Sequence, residues 1–515
     1  MAPEVETRAG RLRGTENAGI RIFRGIRYAA APRGPLRFRP PQPPAPWNGV
    51  RDAVEPGPAA PQFALPWFGW ISAAGVSPGQ DCLSLNVWTP GLDGARRPVV
   101  VWIHGGGFMV GSGATGVYDG RDLARRGDIV VVTINYRLGG LGYVHLKYAL
   151  GDGFHDASNL GVRDQIAALE WVRENIERFG GDPGNVTVFG QSAGAMSIGA
   201  LLGAPSARPL FHRAICQSGA ADHVLEPDAA AEIARSFVSE LGGPPPTHEA
   251  LGRIPTRRLL QAQQATMRKL SNMKRMMVFL PVVDGDAIPE QPLAAVERGA
   301  AAGIPLLVGT TLDEWRLFRM VDPGVRRLRE PDLIARFAEA LASHGSAPAP
   351  EVAARRYGDA LGPRGGNRTL NAVWSNFQSL RVMHAPAARL AGAQVRGGGS
   401  AHTYLFTWKA PGVLGGLGAC HGLDIPFVFG STQHTLARPF TGISDAARRL
   451  SNKMQHAWIR FAREGTPVQE RLPDWAPYEP FRRSTMMLGR DCGMEDAPLD
   501  GELRLLESWG TPRHA

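Results

Sequence analysis

Short apolar runs recur along this chain, each closed by glycine or by a polar cluster, and their spacing sets the first expectation about its architecture. Val99-Val100-Val101-Trp102-Ile103, Val186-Thr187-Val188-Phe189, Arg213-Ala214-Ile215-Cys216, Ile304 to Thr310 and Thr403 to Trp408 have the length and composition of buried strands. Because they are apolar throughout rather than alternating, they fit strands covered on both faces, as in a parallel sheet. Segments between them, such as Ile166-Ala167-Ala168-Leu169-Glu170-Trp171-Val172, have helical spacing. This rhythm predicts an α/β fold, a largely parallel central sheet flanked by helices. No apolar stretch reaches the roughly 20 residues that span a bilayer, so no membrane partner is expected.

Two glycine-rich turns at strand ends carry the candidate chemistry. In Gly190-Gln191-Ser192-Ala193-Gly194, directly after Val186 to Phe189, glycines two residues either side of a serine allow a sharp strand-to-helix turn. Such a turn presents Ser192 as an acyl-transfer nucleophile. Glycine accounts for 63 of 515 residues, so this pattern alone is weak. Its pairing with His104-Gly105-Gly106-Gly107-Phe108 after Val99 to Ile103 is stronger, because bare glycine amides can stabilise a developing oxyanion by about 3 kcal/mol each. A serine hydroxyl also needs a base, and an acid to orient that base. His421, on the glycine-containing loop after Thr403 to Trp408, is the candidate base among thirteen histidines. Asp313 and Glu314, just past Ile304 to Thr310, are both candidates for the acid.

The chain resembles the type-B carboxylesterases, the group that includes cholinesterases and bacterial p-nitrobenzyl esterases. Phe23-Arg24-Gly25-Ile26-Arg27-Tyr28-Ala29, Gly34-Pro35-Leu36-Arg37-Phe38, Asp81-Cys82-Leu83-Ser84-Leu85-Asn86-Val87 and Asn135-Tyr136-Arg137-Leu138-Gly139 match motifs of that family. So do Asn159-Leu160-Gly161 with Asp164-Gln165, and Phe179-Gly180-Gly181-Asp182-Pro183. The resemblance implies the α/β-hydrolase fold, Ser192 as nucleophile, Glu314 rather than Asp313 as the triad acid, and His421 as general base. It also implies an oxyanion hole of the Gly106, Gly107 and Ala193 amides; Ser218 matches a family serine near the triad, with an ordinary strand-end role equally open, and Gln191 is expected beside the nucleophile as a supporting neighbour. One domain over residues 1–515 is expected, since the proposed site draws on segments from Gly106 to His421. Helical insertions at about 220–282 and 318–402 are expected to lie over the active site. The aromatic group Phe63, Trp67, Phe68 and Trp70 is expected near the pocket mouth, although loop packing is the simpler role. Met267, Met273, Met276 and Met277 offer either an adaptable apolar surface or, more simply, helix packing.

Three departures change the picture. Gln191 stands where most relatives carry Glu, which removes a charge that would attract cationic substrates and argues against choline esters. Gln80 stands where a Glu is usual, so its contact with Arg37 is reduced to a charge–neutral hydrogen bond, whereas the Arg137–Asp164 bridge is expected intact. Nothing before Cys82 is cysteine, so the disulfide that secreted relatives make there has no partner. The four cysteines, Cys82, Cys216, Cys420 and Cys492, lack zinc-type spacing and are expected reduced. The opening Met1 to Arg8 has charges of both signs and no apolar core, and a cytoplasmic protein is expected. A formal net charge of +10 comes from scattered basic residues, with clusters no longer than Met267-Arg268-Lys269 or Lys274-Arg275, so no nucleic-acid partner is expected.

The expected activity is hydrolysis of small carboxylic esters through an acyl-enzyme, with no metal and no organic cofactor. The same triad would also serve a specialised hydrolase of carbamates, lactones or bulky esters. A non-enzymatic recognition module is the alternative from another class, since the scaffold also occurs in adhesion proteins with incomplete triads. Here every catalytic position holds a competent residue. Oligomeric state is not legible from the chain.

Overall fold

The computed structural model describes residues 2–63, 75–271, 276–320, 322–362 and 369–510. Its centre is an eleven-stranded sheet. Six neighbouring pairs in it are parallel, joining the strands Ser484–Leu488, Ala401–Phe406, Leu306–Thr311, Arg213–Gln217, Gly181–Gln191, Arg97–Ile103 and Val130–Ile134 in that spatial order. Antiparallel strands close both edges: Gly493–Asp496 on one side, and Ser84–Thr89, Ile20–Arg27 and Thr15–Asn17 on the other. A separate three-stranded sheet joins Glu4–Glu6, Arg11–Arg13 and Val50–Asp52.

The apolar runs divide between two cores because successive side chains of a strand point to opposite faces. Val99, Val101 and Ile103 enter one core, and Val100 and Trp102 the other. The same split separates Leu306 and Val308 from Leu307. The first core is covered by the helices Leu160–Asn175 and Ala193–Gly203, the second by Asp445–Glu464 and the short helix Ile425–Phe429. Every residue of Ala193–Gly203 is buried, which explains its Ala, Gly and Leu content. A third core gathers Phe337, Tyr357, Trp374, Phe377 and Trp509 from surrounding helices.

Between residues 220 and 282 the helices are Pro227–Leu241, His248–Arg253 and Thr256–Leu270. Between 318 and 402 they are Glu330–Leu341, Pro350–Ala360, Leu370–Ser379 and Ala385–Arg396, with a π-helical turn at Leu380–His384. Among the described residues no helix is long and apolar enough to cross a membrane.

Both polar pairings expected near the family motifs are formed. Arg137 donates to both oxygens of Asp164, from Nε at 2.7 Å and Nη2 at 2.7 Å, with both side chains buried. Arg37 donates from Nη2 to Gln80 Oε1 at 2.6 Å, a hydrogen bond without a counter-charge.

Candidate active site

A single residue, Ser192, separates the strand Gly181–Gln191 from the helix Ala193–Gly203. Its backbone, at φ 57° and ψ −127°, lies in a region that side-chain-bearing residues avoid, which is the strain expected of a turn this sharp. Ser192 N donates to Gln217 O at 2.8 Å and Ser192 O accepts from Met196 N at 2.9 Å, so both sides of the turn are tied down. The flanking glycines are a packing requirement. A Cβ on Gly190 would lie 2.7 Å from the Gly194 carbonyl carbon, and one on Gly194 would lie 2.0 Å from Ile103 O.

The glycine loop after Ile103 lies directly against this turn. A Cβ on Gly105 would sit 3.1 Å from Ser192 Cβ, and one on Gly106 would sit 2.0 Å from Val110 O. Gly106 and Gly107 adopt φ of 114° and 61°, which favours glycine. Behind the loop, the Tyr136 ring stacks on His104 with centroids 4.5 Å apart, and its hydroxyl donates to His104 O at 2.7 Å. Among the described residues, the N–H groups of Gly106, Gly107 and Ala193 find no protein acceptor, so they are available to an incoming oxygen.

Two further strand ends supply an imidazole and a carboxylate. Glu314 follows the strand Leu306–Thr311, and its Oε1 accepts from Thr311 N at 2.7 Å. Its Oε2 meets His421 Nδ1 at 2.5 Å, with both side chains buried. Burial raises the pKa of this carboxyl, but His421, with His384 and Ser218 adding to it, outweighs burial and holds the pKa below its ordinary value. Asp313 does different work. Its Oδ2 accepts from Ala419 N at 2.9 Å, its own N donates to Ala419 O at 2.9 Å, and its Oδ1 pairs with Arg316 at 2.8 Å. It therefore fastens the loop that carries His421 to the loop that carries Glu314.

The other imidazole nitrogen, His421 Nε2, lies 3.1 Å from Gln191 Nε2. With Nδ1–H engaged by Glu314, Nε2 has a free lone pair, which the Gln191 amide N–H fills. Phe318 packs beside His421 with ring centroids 5.1 Å apart, and Trp315 packs on Phe318 at 4.6 Å. Ser218, with φ of 53°, is buried beside Glu314, and its hydroxyl favours the ionised form of that carboxyl.

Two neighbours were not singled out as site residues from the sequence. His384, on the π-helical turn, meets Thr310 Oγ1 through Nδ1 at 2.7 Å and adds to the field at Glu314. Asp424, three residues past His421, accepts from Gln217 Nε2 at 2.8 Å and from Tyr404 OH at 2.9 Å, both on Oδ2. Burial, with the nearby Glu314 charge, raises its pKa to about 6 against the opposing hydrogen bonds from Gln217 and Tyr404. A carboxyl raised on folding binds its proton more tightly in the native state, so stability is lost as pH climbs from the unfolded value to the folded one. The Asp424→Asn variant lacks this titration. Its melting temperature relative to the parent should therefore rise by a few degrees between about pH 4 and about pH 8, in proportion to roughly 3 kcal/mol of linkage. A difference that stays constant across that range would assign Asp424 an ordinary acidity.

Of the aromatic group expected near the pocket mouth, Phe63 is half-buried, and Trp67, Phe68 and Trp70 lie outside the described residues. Met267, Met276 and Met277 pack partly buried against the first core, consistent with the simpler packing role, and Met273 and the Lys274-Arg275 pair lie outside the described residues. The four cysteines are unpaired, with Cys82, Cys216 and Cys420 buried. Among the described residues no group of three or more His, Cys, Asp or Glu side chains is arranged to hold a metal ion.

Known proteins resemble this chain over nearly its whole length. A model of the carboxylesterase family matches residues 1–505. The para-nitrobenzyl esterase of Bacillus subtilis (strain 168) is 38% identical over 498 residues, covering 96% of each chain. The phenmedipham hydrolase of Pseudarthrobacter oxydans is 36% identical over 503 residues, again covering 96% of each. Among solved structures, a carboxylesterase from Geobacillus stearothermophilus superposes with a TM-score of 0.86 at 38% identity, covering 98% of this chain and 99% of that one.

Proposed function

The chain belongs to the carboxylesterase family and is a serine hydrolase of carboxylic esters, and from that premise we propose that Ser192, His421 and Glu314 perform the chemistry. The observation that carries this reading is the buried Glu314–His421 contact at 2.5 Å, with the other imidazole nitrogen turned toward the Gln191 side chain beside Ser192. Ser192 Oγ attacks the ester carbonyl carbon while His421 Nε2 takes its proton. The Gln191 amide fills that lone pair in the resting protein and has to yield it to the Ser192 hydroxyl. Glu314 keeps the proton on Nδ1 and offsets the imidazolium charge. The oxyanion accepts hydrogen bonds from the Gly106, Gly107 and Ala193 amides. Collapse breaks the carbonyl–alkoxide bond, and His421 Nε2 gives its proton to the departing alcohol. Water then attacks the acyl-enzyme by the same route, releasing the acid and returning the proton to Ser192.

Residues 1–515 are read as one hydrolase domain, with the helical stretches at about 220–282 and 318–402 as insertions that wall the pocket and set acyl and alcohol size. Ester substrates without a cationic group fit best, because Gln191 brings no charge to the nucleophile turn. A reducing compartment, hence the cytoplasm, fits four unpaired cysteines. A fluorophosphonate that esterifies activated serines tests the assignment. One adduct on the peptide containing Ser192 should accumulate in step with loss of p-nitrophenyl ester hydrolysis. Full inactivation with the label on another residue would remove Ser192 from the reaction. Comparing p-nitrobenzyl esters of increasing acyl length with a carbamate and with phenmedipham, for which one relative is named, then separates a general esterase from a specialised hydrolase.

A further inference from the structure

Gln62 lies 42 positions before His104 in the chain, yet its side chain is bound to the back of the glycine loop. Its Nε2 donates to Gly111 O at 2.9 Å and its Oε1 accepts from Gly111 N at 2.9 Å, so one amide engages both backbone groups of a single residue. The second Nε2 hydrogen is used on Ala60 O at 2.9 Å. Only one orientation of the amide satisfies all three contacts, since the reverse would place its oxygen against two carbonyls.

Gly111 is the residue against which the start of the loop rests. It has φ of 118°, and a Cβ there would lie 2.4 Å from His104 Nδ1 and 2.6 Å from Gly105 O. The loop then turns back on itself, with Gly106 O accepting from Met109 N at 3.0 Å and from Val110 N at 3.1 Å. Anything that holds Gly111 therefore holds both ends of the turn that contains the Gly106 and Gly107 amides. The Gln62 side is itself fixed: Asn135 Nδ2 donates to Pro58 O at 3.0 Å while Asn135 Oδ1 accepts from Gly113 N at 2.8 Å. Ala59 forms a short ladder with Ser77 and Gly79 through hydrogen bonds of 3.1 and 2.9 Å. Residues 58–62 thus form a splint along the outer side of the loop, and Gln62 is its side-chain clasp.

We propose that Gln62 is a positioning residue for ester hydrolysis, aiming the Gly106 and Gly107 amides by fixing Gly111. The proposal rests on the oxyanion-hole reading above. Donors set in advance are worth far more than donors that must reorganise, so loosening the clasp should weaken binding of the transition state and leave the bound ester nearly untouched.

Gln62→Met keeps side-chain length and removes all three contacts. Its kcat for a p-nitrophenyl ester should fall about 10- to 100-fold with KM within about twofold. A trifluoromethyl ketone reports on the oxyanion directly: Ser192 Oγ adds to its carbonyl carbon, His421 takes the serine proton, and the carbonyl oxygen becomes the anion. Affinity for this ketone should fall by the same factor as kcat, while a non-electrophilic methyl ketone of the same shape binds unchanged. Gln394→Met is the matched control, because that amide likewise joins separate segments, donating to Ala301 O at 3.0 Å and Ile304 O at 2.8 Å. It should lower melting temperature without changing ketone affinity. If Gln62→Met loses only thermal stability and retains parental kcat and ketone affinity, the clasp is merely structural and the proposal is wrong. If Ser192→Ala binds the trifluoromethyl ketone as tightly as the parent does, the catalytic reading itself fails, and the role of Gln62 falls with it.

Discussion

Ser192→Ala should fold as the parent does and lose about four to six orders of magnitude in turnover of short p-nitrophenyl esters. The fold is expected to survive because the Ser192 hydroxyl makes no hydrogen bond that the turn depends on. What holds the turn is backbone: Ser192 N on Gln217 O, Met196 N on Ser192 O, and the close approach of Gly194 to Ile103. An alanine keeps all of these and tolerates φ of 57° about as well as serine does. The chemistry has no such reserve. Without Oγ there is no atom on which the acyl group can be carried, and water in its place must be oriented by His421 while the imidazole lone pair faces the Gln191 amide. Some acceleration over the uncatalysed reaction should remain, about 10³-fold or more, from the amides and from substrate binding. The check is circular dichroism and melting temperature beside single-turnover ester hydrolysis. Near-parental turnover in a folded variant would place the nucleophile elsewhere.

The part of this protein legible in its sequence is the part governed by local rules. Strands announced themselves because a strand covered on both faces must be apolar throughout, and Val99 to Ile103 and Leu306 to Val308 are divided between two cores. The turn at Ser192 was legible as a pattern because collisions require both of its glycines: a Cβ on Gly190 would meet Gly194 and Ile103 O, and one on Gly194 would meet Ile103 and His104 O. Gly106, Gly107 and Ala193 were named as oxyanion donors by the resemblance to the carboxylesterases rather than by the two motifs alone. Contacts made across the sheet were not legible. Gln62 reaches Gly111, His384 reaches Thr310, and Gln217 reaches Asp424 over separations of 49, 74 and 207 residues. Nothing in the surrounding residues marks any of them. Asp424 had a partial signal, since its position three residues after His421 keeps it on the same loop. Its raised pKa depends on burial that only the packed structure supplies.

In the sequence the residues alone leave Asp313 and Glu314 equal and only the family resemblance chooses Glu314, yet the two variants should separate sharply. Both carboxylates follow the same strand and both are buried, so neither spacing nor chemistry ranks them. Geometry does: Glu314 Oε2 holds His421 Nδ1, and Asp313 Oδ2 holds the Ala419 amide. In Glu314→Gln the side chain keeps its shape and an oxygen that can accept from Thr311 N, but it no longer carries the charge opposite the imidazolium. Its amide group is as ready to donate to Nδ1 as to accept from it, which puts the imidazole proton on the wrong nitrogen. Turnover should fall about 10³- to 10⁴-fold with KM little changed. Asp313→Asn keeps an oxygen for Ala419 N and gives up an ion pair with a partly exposed Arg316, so turnover should fall less than about tenfold, with the change appearing mainly in melting temperature. Because the pKa of Glu314 is held below its ordinary value, the stability it contributes is present above the unfolded carboxyl range and is lost as pH falls through its folded value. The parent's advantage in melting temperature over Glu314→Gln should accordingly shrink on acidification. Single-turnover rates for the two variants, measured on the same ester, decide the assignment. A crippled Asp313→Asn beside a nearly active Glu314→Gln would exchange their roles, and would mean that the imidazole is oriented from the loop that carries it rather than from the strand end opposite.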